Sequence, residues 1–129
     1  MKIKCIENNF LRLNDKSVVK KIKKYFYLSD GNVNLIINKK YIVYGIMFRE
    51  NHPWFYICID DEDEYPTAYP MDLFEIIDDK LSEYWRLSIR ESSFVFEEWA
   101  NDSTFYERLV DGDPVAIKQF VDYRTKEGV

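Results

Sequence analysis

Between residues 33 and 96 no apolar stretch outlasts Tyr41–Phe48, and each stretch is closed by a charged or turn-forming cluster. Short apolar runs bounded in this way make strands rather than helices, so the middle of the chain reads as sheet. Val33, Leu35 and Ile37 recur at every second position. Tyr41–Phe48, interrupted by Gly45, suits a central strand covered on both faces. Arg49–Pro53 supplies a hairpin loop, from which Trp54–Ile59 returns as the next strand. Leu73–Ile77 and Tyr84–Ile89 are two further strands with a turn at Asp78–Lys80. Ile3 and Cys5 mark a first strand at the amino end. The dipeptides Tyr65-Pro66 and Tyr69-Pro70 bias their segment toward extended backbone.

Two regions depart from this period. Val18, Ile22 and Tyr25 fall on one side of a short amphipathic helix near residues 16–26, with Lys16, Lys20, Lys23 and Lys24 opposite and Asp15 or Ser17 as cap. Tyr25–Leu28 is equally good strand material, and Ser29–Asn32 is a turn. After Phe94 and Phe96, Phe105 and Leu109 line a helix begun by Asp102 or Ser103. In Asp111–Pro114, Gly112 closes that helix, Asp113 caps the next, and Pro114 suits its first turn. Ala116, Phe120 and Tyr123 give the second helix its apolar stripe. The expectation is one α+β domain over residues 1–129, mainly β over 1–90 with two helices over 97–127. Five or six short strands suit a strongly curved antiparallel sheet or small SH3-like barrel, on which the C-terminal helical hairpin packs.

Charge is divided along the chain. Residues 1–40 hold ten lysines or arginines against three acids, whereas residues 60–83 hold ten acids against Lys80 alone. Asp60, Asp61, Glu62, Asp63 and Glu64 are consecutive, and five like charges cannot be buried together, so they form a solvated loop. Nucleic acid is repelled by such a face and a basic protein is drawn to it. Tyr and Trp offer rigid contact area at low entropic cost, and Trp54, Tyr56, Tyr65 and Tyr69 flank the acids. Asp60–Glu64 with Tyr65, Tyr69, Asp78 and Asp79 is therefore the candidate partner-binding surface. The same acids also fit the plain role of a solvated sheet edge that repels other edges. The lysines near the amino end read as a solvated helix face, or as a match for the acidic half of this chain or of a second copy in a homodimer.

Chemical motifs are sparse. Any histidine-dependent triad or dyad must pass through His52, which precedes a proline in a turn. Two distant cysteines and one histidine leave a tetrahedral zinc site short of a ligand, and the acidic loop lacks the alternation with which a chain wraps calcium. Gly31, Gly45, Gly112 and Gly128 stand too far apart for a phosphate-cradling loop. No cofactor is implied. Asp60, Glu75, Asp78, Asp79 and Glu98 keep a carboxylate-dependent hydrolase as a competing class, and an adaptor module is a third. No secretion signal or spanning segment is read, so the cytoplasm is expected, with Cys5 and Cys58 as reduced core thiols.

Tyr44-Gly45-Ile46, Trp54–Cys58, Asp60-Asp61, Tyr65-Pro66, Tyr69-Pro70, Leu73–Asp78 and Tyr84-Trp85 together resemble a group of small bacterial proteins. These are the immunity proteins encoded beside polymorphic toxins, and the resemblance covers roughly residues 41–99. It implies a cytoplasmic, non-enzymatic inhibitor that binds a toxin domain and blocks its active site or substrate path. Joined to the charge pattern, it implies a basic toxin such as a nuclease, met by carboxylates that imitate a phosphate backbone.

Overall fold

The computed structural model describes residues 1–26 and 30–128. Tyr27 and Leu28 of the alternative strand, and Ser29 of the turn, lie outside the described residues. Strands are Lys2–Cys5 (β1), Lys40–Ile42 (β2), Gly45–Arg49 (β3), His52–Ile57 (β4), Thr67–Pro70 (β5), Phe74–Asp78 (β6), Trp85–Ser88 (β7) and Ser93–Phe96 (β8). Helices are Lys16–Lys23 (α1), Glu97–Ala100 (α2), Phe105–Val110 (α3) and Pro114–Glu127 (α4). Among the described residues no helix is long and apolar enough to cross a membrane.

The α+β class holds, but the strongly curved sheet or SH3-like barrel does not. The strands form two open antiparallel sheets, ordered β2-β1-β6 and β5-β4-β3-β8-β7, and neither closes or curls strongly on itself. The reason lies at two crossings. Tyr41–Phe48, expected as one strand, breaks at Val43-Tyr44: the Val43 N–H donates to Met1 O at 3.1 Å, while the Tyr44 N–H donates to Tyr56 O at 2.8 Å. One residue therefore serves the small sheet and the next serves the large one. The second crossing follows Pro70, which has no N–H to continue a ladder, and a 3-10 turn at Met71–Leu73 carries the chain back to pair β6 with β1.

Other elements follow local rules. Glu50 and Asn51 both have positive φ, 51° and 63°, so the β3–β4 hairpin is joined by the tight two-residue turn whose twist matches the strands. Helix α1 is capped by Asp15, whose Oδ1 accepts from the Ser17 N–H at 2.9 Å and the Val18 N–H at 3.4 Å. Gly112 at φ 88° ends α3, and Asp113 accepts from the Val115 N–H to start α4. A single extra turn, α2, precedes the expected hairpin. The alternation at Val33, Leu35 and Ile37 makes no strand, although Val33 and Leu35 are buried. Their backbone is satisfied from elsewhere: the Val33 N–H donates to Asn8 O at 2.9 Å, and Leu35 O accepts from Asn8 Nδ2 at 3.2 Å.

Residues from both sheets and from all four helices meet in one aromatic-rich core, to which α4 contributes Ala116, Phe120 and Tyr123. Phe120 is fully buried, and the Tyr123 ring stacks on Phe96 at 4.5 Å between centroids. The Tyr123 hydroxyl accepts from Trp85 Nε1 at 2.6 Å. Its own proton goes to Tyr44 O at 3.0 Å or Glu127 Oε2 at 3.2 Å. One hydroxyl thus ties α4 to β7 and to the crossing between the sheets. Tyr123→Phe leaves buried polar groups unpaired and is expected to cost about 1–3 kcal/mol in urea unfolding; an unchanged midpoint would remove this hydroxyl as a tie.

Burial also sets an alkaline limit. Desolvation pushes the Cys58 thiol from 9.0 up to about 11, and Tyr44, Tyr56 and Tyr69 from 10.0 up to about 12. The folded chain holds these protons more tightly than the unfolded one. Stability from these groups is therefore fully present below about pH 9 and declines as pH rises through 9–12. Thermal unfolding across pH 8–11 should show a flat region and then a fall.

Candidate functional site

The acidic cluster forms the loop between β4 and β5, where five carboxylates in sequence would extend an unrestrained backbone by mutual repulsion. Here the backbone is held. The Asp63 N–H donates to Asp60 O at 3.1 Å, and the Asp60 N–H donates to Asp63 Oδ2 at 3.1 Å, closing a turn on itself. Arg124 Nη1, on α4, donates to Asp63 O and lies 3.8 Å from Cys58 Sγ. From the opposite side in sequence, Lys39 Nζ donates to Ile59 O at 3.1 Å. Both cations grip carbonyl oxygens rather than carboxylates.

The carboxylates themselves carry no ion pair among the described residues. Asp60, Asp61, Glu62 and Glu64 are exposed and Asp63 is half-buried. Asp61 borders a small cleft with Lys39 and Lys40 on its rim. The lysines of α1 and the Lys24 that follows it are engaged elsewhere or solvated: Lys16 donates to Leu11 O and Leu13 O, and Lys24 pairs with Glu50 at 3.2 Å. The cationic amino-terminal third thus supports the loop backbone at one point, and the loop keeps its outward negative charge.

Its expected aromatic companions are mostly elsewhere. Tyr65 is 40% exposed beside the acids, whereas Trp54, Tyr56 and Tyr69 are all buried. Alternation along a strand sends half its side chains each way, but both faces of β4 are covered, so neither half reaches solvent. Trp54 packs against Tyr25, Phe26 and the Arg49 guanidinium, and Tyr56 packs against Trp99 and Tyr106. Asp78 and Asp79 are exposed, but Asp78 ends β6 in the small sheet and Asp79 follows it, and no hydrogen bond joins them to the acidic loop among the described residues. The surface the structure assembles is therefore Asp60–Tyr65.

Sequence reasoning missed the residues that hold it. Arg124 falls one place beyond Tyr123 on the apolar stripe of α4, a position from which a long side chain reaches past the core. Its guanidinium lies 5.4 Å from the Phe120 ring centroid and continues to the loop. His52, read as a turn residue, sits in β4 with its imidazole against the Asp72 carboxylate. Cys5 and Cys58 are free and buried. Among the described residues no group of three or more histidine, cysteine or acidic side chains is placed to hold a metal ion.

No protein-family model, curated protein or solved structure matches this chain.

Arg124→Gln removes the grip on the loop while leaving its charges in place. Amide hydrogen exchange at Asp60 and Asp63 is expected to quicken about tenfold, with global stability reduced by no more than about 1–2 kcal/mol. Unaltered protection of those two amides would show that the loop holds itself.

Proposed function

We propose that this chain is a non-enzymatic protein-binding module whose acidic loop docks a basic protein, acting as a cytoplasmic immunity protein toward a toxin domain. The observation that carries this reading is the pairing of a restrained backbone with free charge. Asp60–Glu64 presents five acids and no base on a loop clamped through its carbonyls, with Tyr65 exposed at its end. A flexible acidic tail would lose its orientation on docking and have to regain it. A pre-ordered loop avoids most of that entropic cost.

In this mechanism the carboxylates act first at long range. They raise the encounter rate with a positively charged groove and orient the approach, while the same field repels nucleic acid and anionic membranes. Carboxylates then occupy the positions that phosphates would take in a nuclease groove, and Tyr65 contributes short-range contact. The toxin's substrate is excluded by occupancy, so no bond is made or broken by the inhibitor. The resemblance to immunity proteins supplies the partner class, and the loop supplies the contact.

The test looks for a toxin domain encoded beside the gene, whose absence counts against the reading, and co-expresses and purifies it with this chain. Protection of the host cell and a complex that weakens with salt are expected. Replacing Asp60, Asp61, Glu62 and Asp63 together by Asn and Gln should slow association at low ionic strength by about tenfold or more and flatten the salt dependence. An association rate equal to wild type would exclude this loop as the docking surface, provided circular dichroism confirms the fold.

A further inference from the structure

A second site lies away from the acidic loop, between the large sheet and helices α2 and α3. The register places Met47 opposite Ser93 and Gly45 opposite Tyr56, so Met47, Ser93 and Tyr56 project on one face of the sheet. Trp99 from α2 and Tyr106 from α3 pack over that face, their rings stacked at 5.2 Å, with Tyr56 at 4.7 Å and 5.4 Å from them. Gly45 makes room for this arrangement, because a Cβ there would meet Val95 Cγ1 at 2.9 Å and Tyr56 Cδ2 at 3.3 Å. Between these groups is a cavity of about 230 Å3. That volume suits a head group or a single side chain rather than a drug-sized ligand.

Two features of its wall call for a ligand. Ser93 is 3% exposed, and its Oγ has no hydrogen-bond partner in the protein. Tyr56 Oη, also buried, donates only to the thioether sulfur of Met47 at 3.5 Å, which leaves its oxygen free to accept. A buried hydroxyl without a partner is costly, and among the described residues Ser93 Oγ is the one such side-chain atom, in the same cavity as Tyr56. At the mouth stand Glu91 and Glu107, both exposed and without a salt bridge among the described residues. Asp102 is there as well but is committed to Arg108 at 2.7 Å. Among the described residues no lysine or arginine lines the cavity. Arg49, on β3, is stacked on Tyr25 and Trp54 at 4.6 and 4.7 Å, and its charge is felt at the Tyr56 and Tyr106 hydroxyls.

We propose that this cavity binds an organic cation, a guanidinium or alkylammonium head, which donates to Ser93 Oγ and Tyr56 Oη, contacts the aromatic wall and is balanced by Glu91 and Glu107. The chemistry is complementary at each point. Such a head offers N–H donors to two hydroxyl oxygens that lack them, and its positive charge is favoured both by π faces and by carboxylates. An anion is opposed by the carboxylates, and an apolar ligand leaves the hydroxyls unpaired. This site does not depend on the acidic loop or on the toxin reading.

The test is a titration of the intact protein with methylguanidinium, methylammonium and the neutral isostere methylurea, followed by NMR shifts at the Trp99 indole and Ser93 amide. Saturable shifts are expected with the cations at millimolar concentration, and binding of methylurea at least about fivefold weaker. Glu91→Gln with Glu107→Gln lies on exposed positions and should weaken the cations by a similar factor while leaving methylurea unchanged. Ser93→Ala should weaken both cations without lowering the thermal midpoint. An N-acetyl-arginine amide arm distinguishes a peptide-borne head, which it would bind more tightly than methylguanidinium, from a free one. Equal affinity for methylurea, or shifts confined to residues 60–64, would overturn the proposal. The charge-neutral loop variant described above should bind methylguanidinium as wild type does, so failure of either reading leaves the other standing.

Discussion

The seat of α4 on the large sheet governs much of what the rest of the molecule can do. Phe120, Tyr123 and Arg124 are three and four residues apart and so share one side of the helix. Their roles diverge with reach. Phe120 fills the core, Tyr123 joins Trp85 and the crossing at Tyr44 through one hydroxyl, and Arg124 extends over the core edge to the acidic loop. A rotation of the helix would disturb all three at once. Core packing and the posture of the charged loop are thereby coupled through a rigid element rather than through contact between charges.

That coupling explains how the chain holds five adjacent acids. A salt bridge to each carboxylate would steady the loop and also cancel its field. Gripping the carbonyl oxygens of Ile59 and Asp63 steadies the backbone and leaves the carboxylates free of ion pairs. Exposed carboxylates act over roughly a Debye length, about 8 Å at physiological salt, so their influence is on approach and orientation. The aromatic cavity works at contact range, where buried hydroxyls and ring faces discriminate one head group from another. Two surfaces of the same sign thus differ in range because one is open to water and the other is partly withdrawn from it.

Local rules were legible wherever the physics is local. The cap at Asp15, the stop and start at Asp111–Pro114 and the solvated acidic run each depend on a few neighbouring residues and stand where the residues place them, while the hairpin expected at Arg49–Pro53 turns on Glu50-Asn51 alone, with Arg49, His52 and Pro53 paired in the strands. Alternation at Val33 and Leu35 correctly marked burial but not strand, since a side chain can face the core while its backbone pairs with Asn8. The apolar run Tyr41–Phe48, interrupted only by Gly45, hid the change of sheet at Val43-Tyr44, because the segments on either side are equally apolar. Tyr69 and Trp54 could not be placed from alternation, which says that faces differ but not which faces are covered.

What the amino-acid sequence determined by itself was the supply of short strands, the helical close of the chain and the exposure of the acidic run, because each follows from side-chain period, backbone restriction or the cost of burying charge. Only the tertiary structure decided that the strands divide into two open sheets, that Arg124 and Lys39 hold the loop by its carbonyls, and that Tyr56, Ser93, Trp99 and Tyr106 share a cavity. Those outcomes join residues tens of positions apart. Their energy depends on which surfaces meet after the chain has folded back on itself, and no local pattern carries that information.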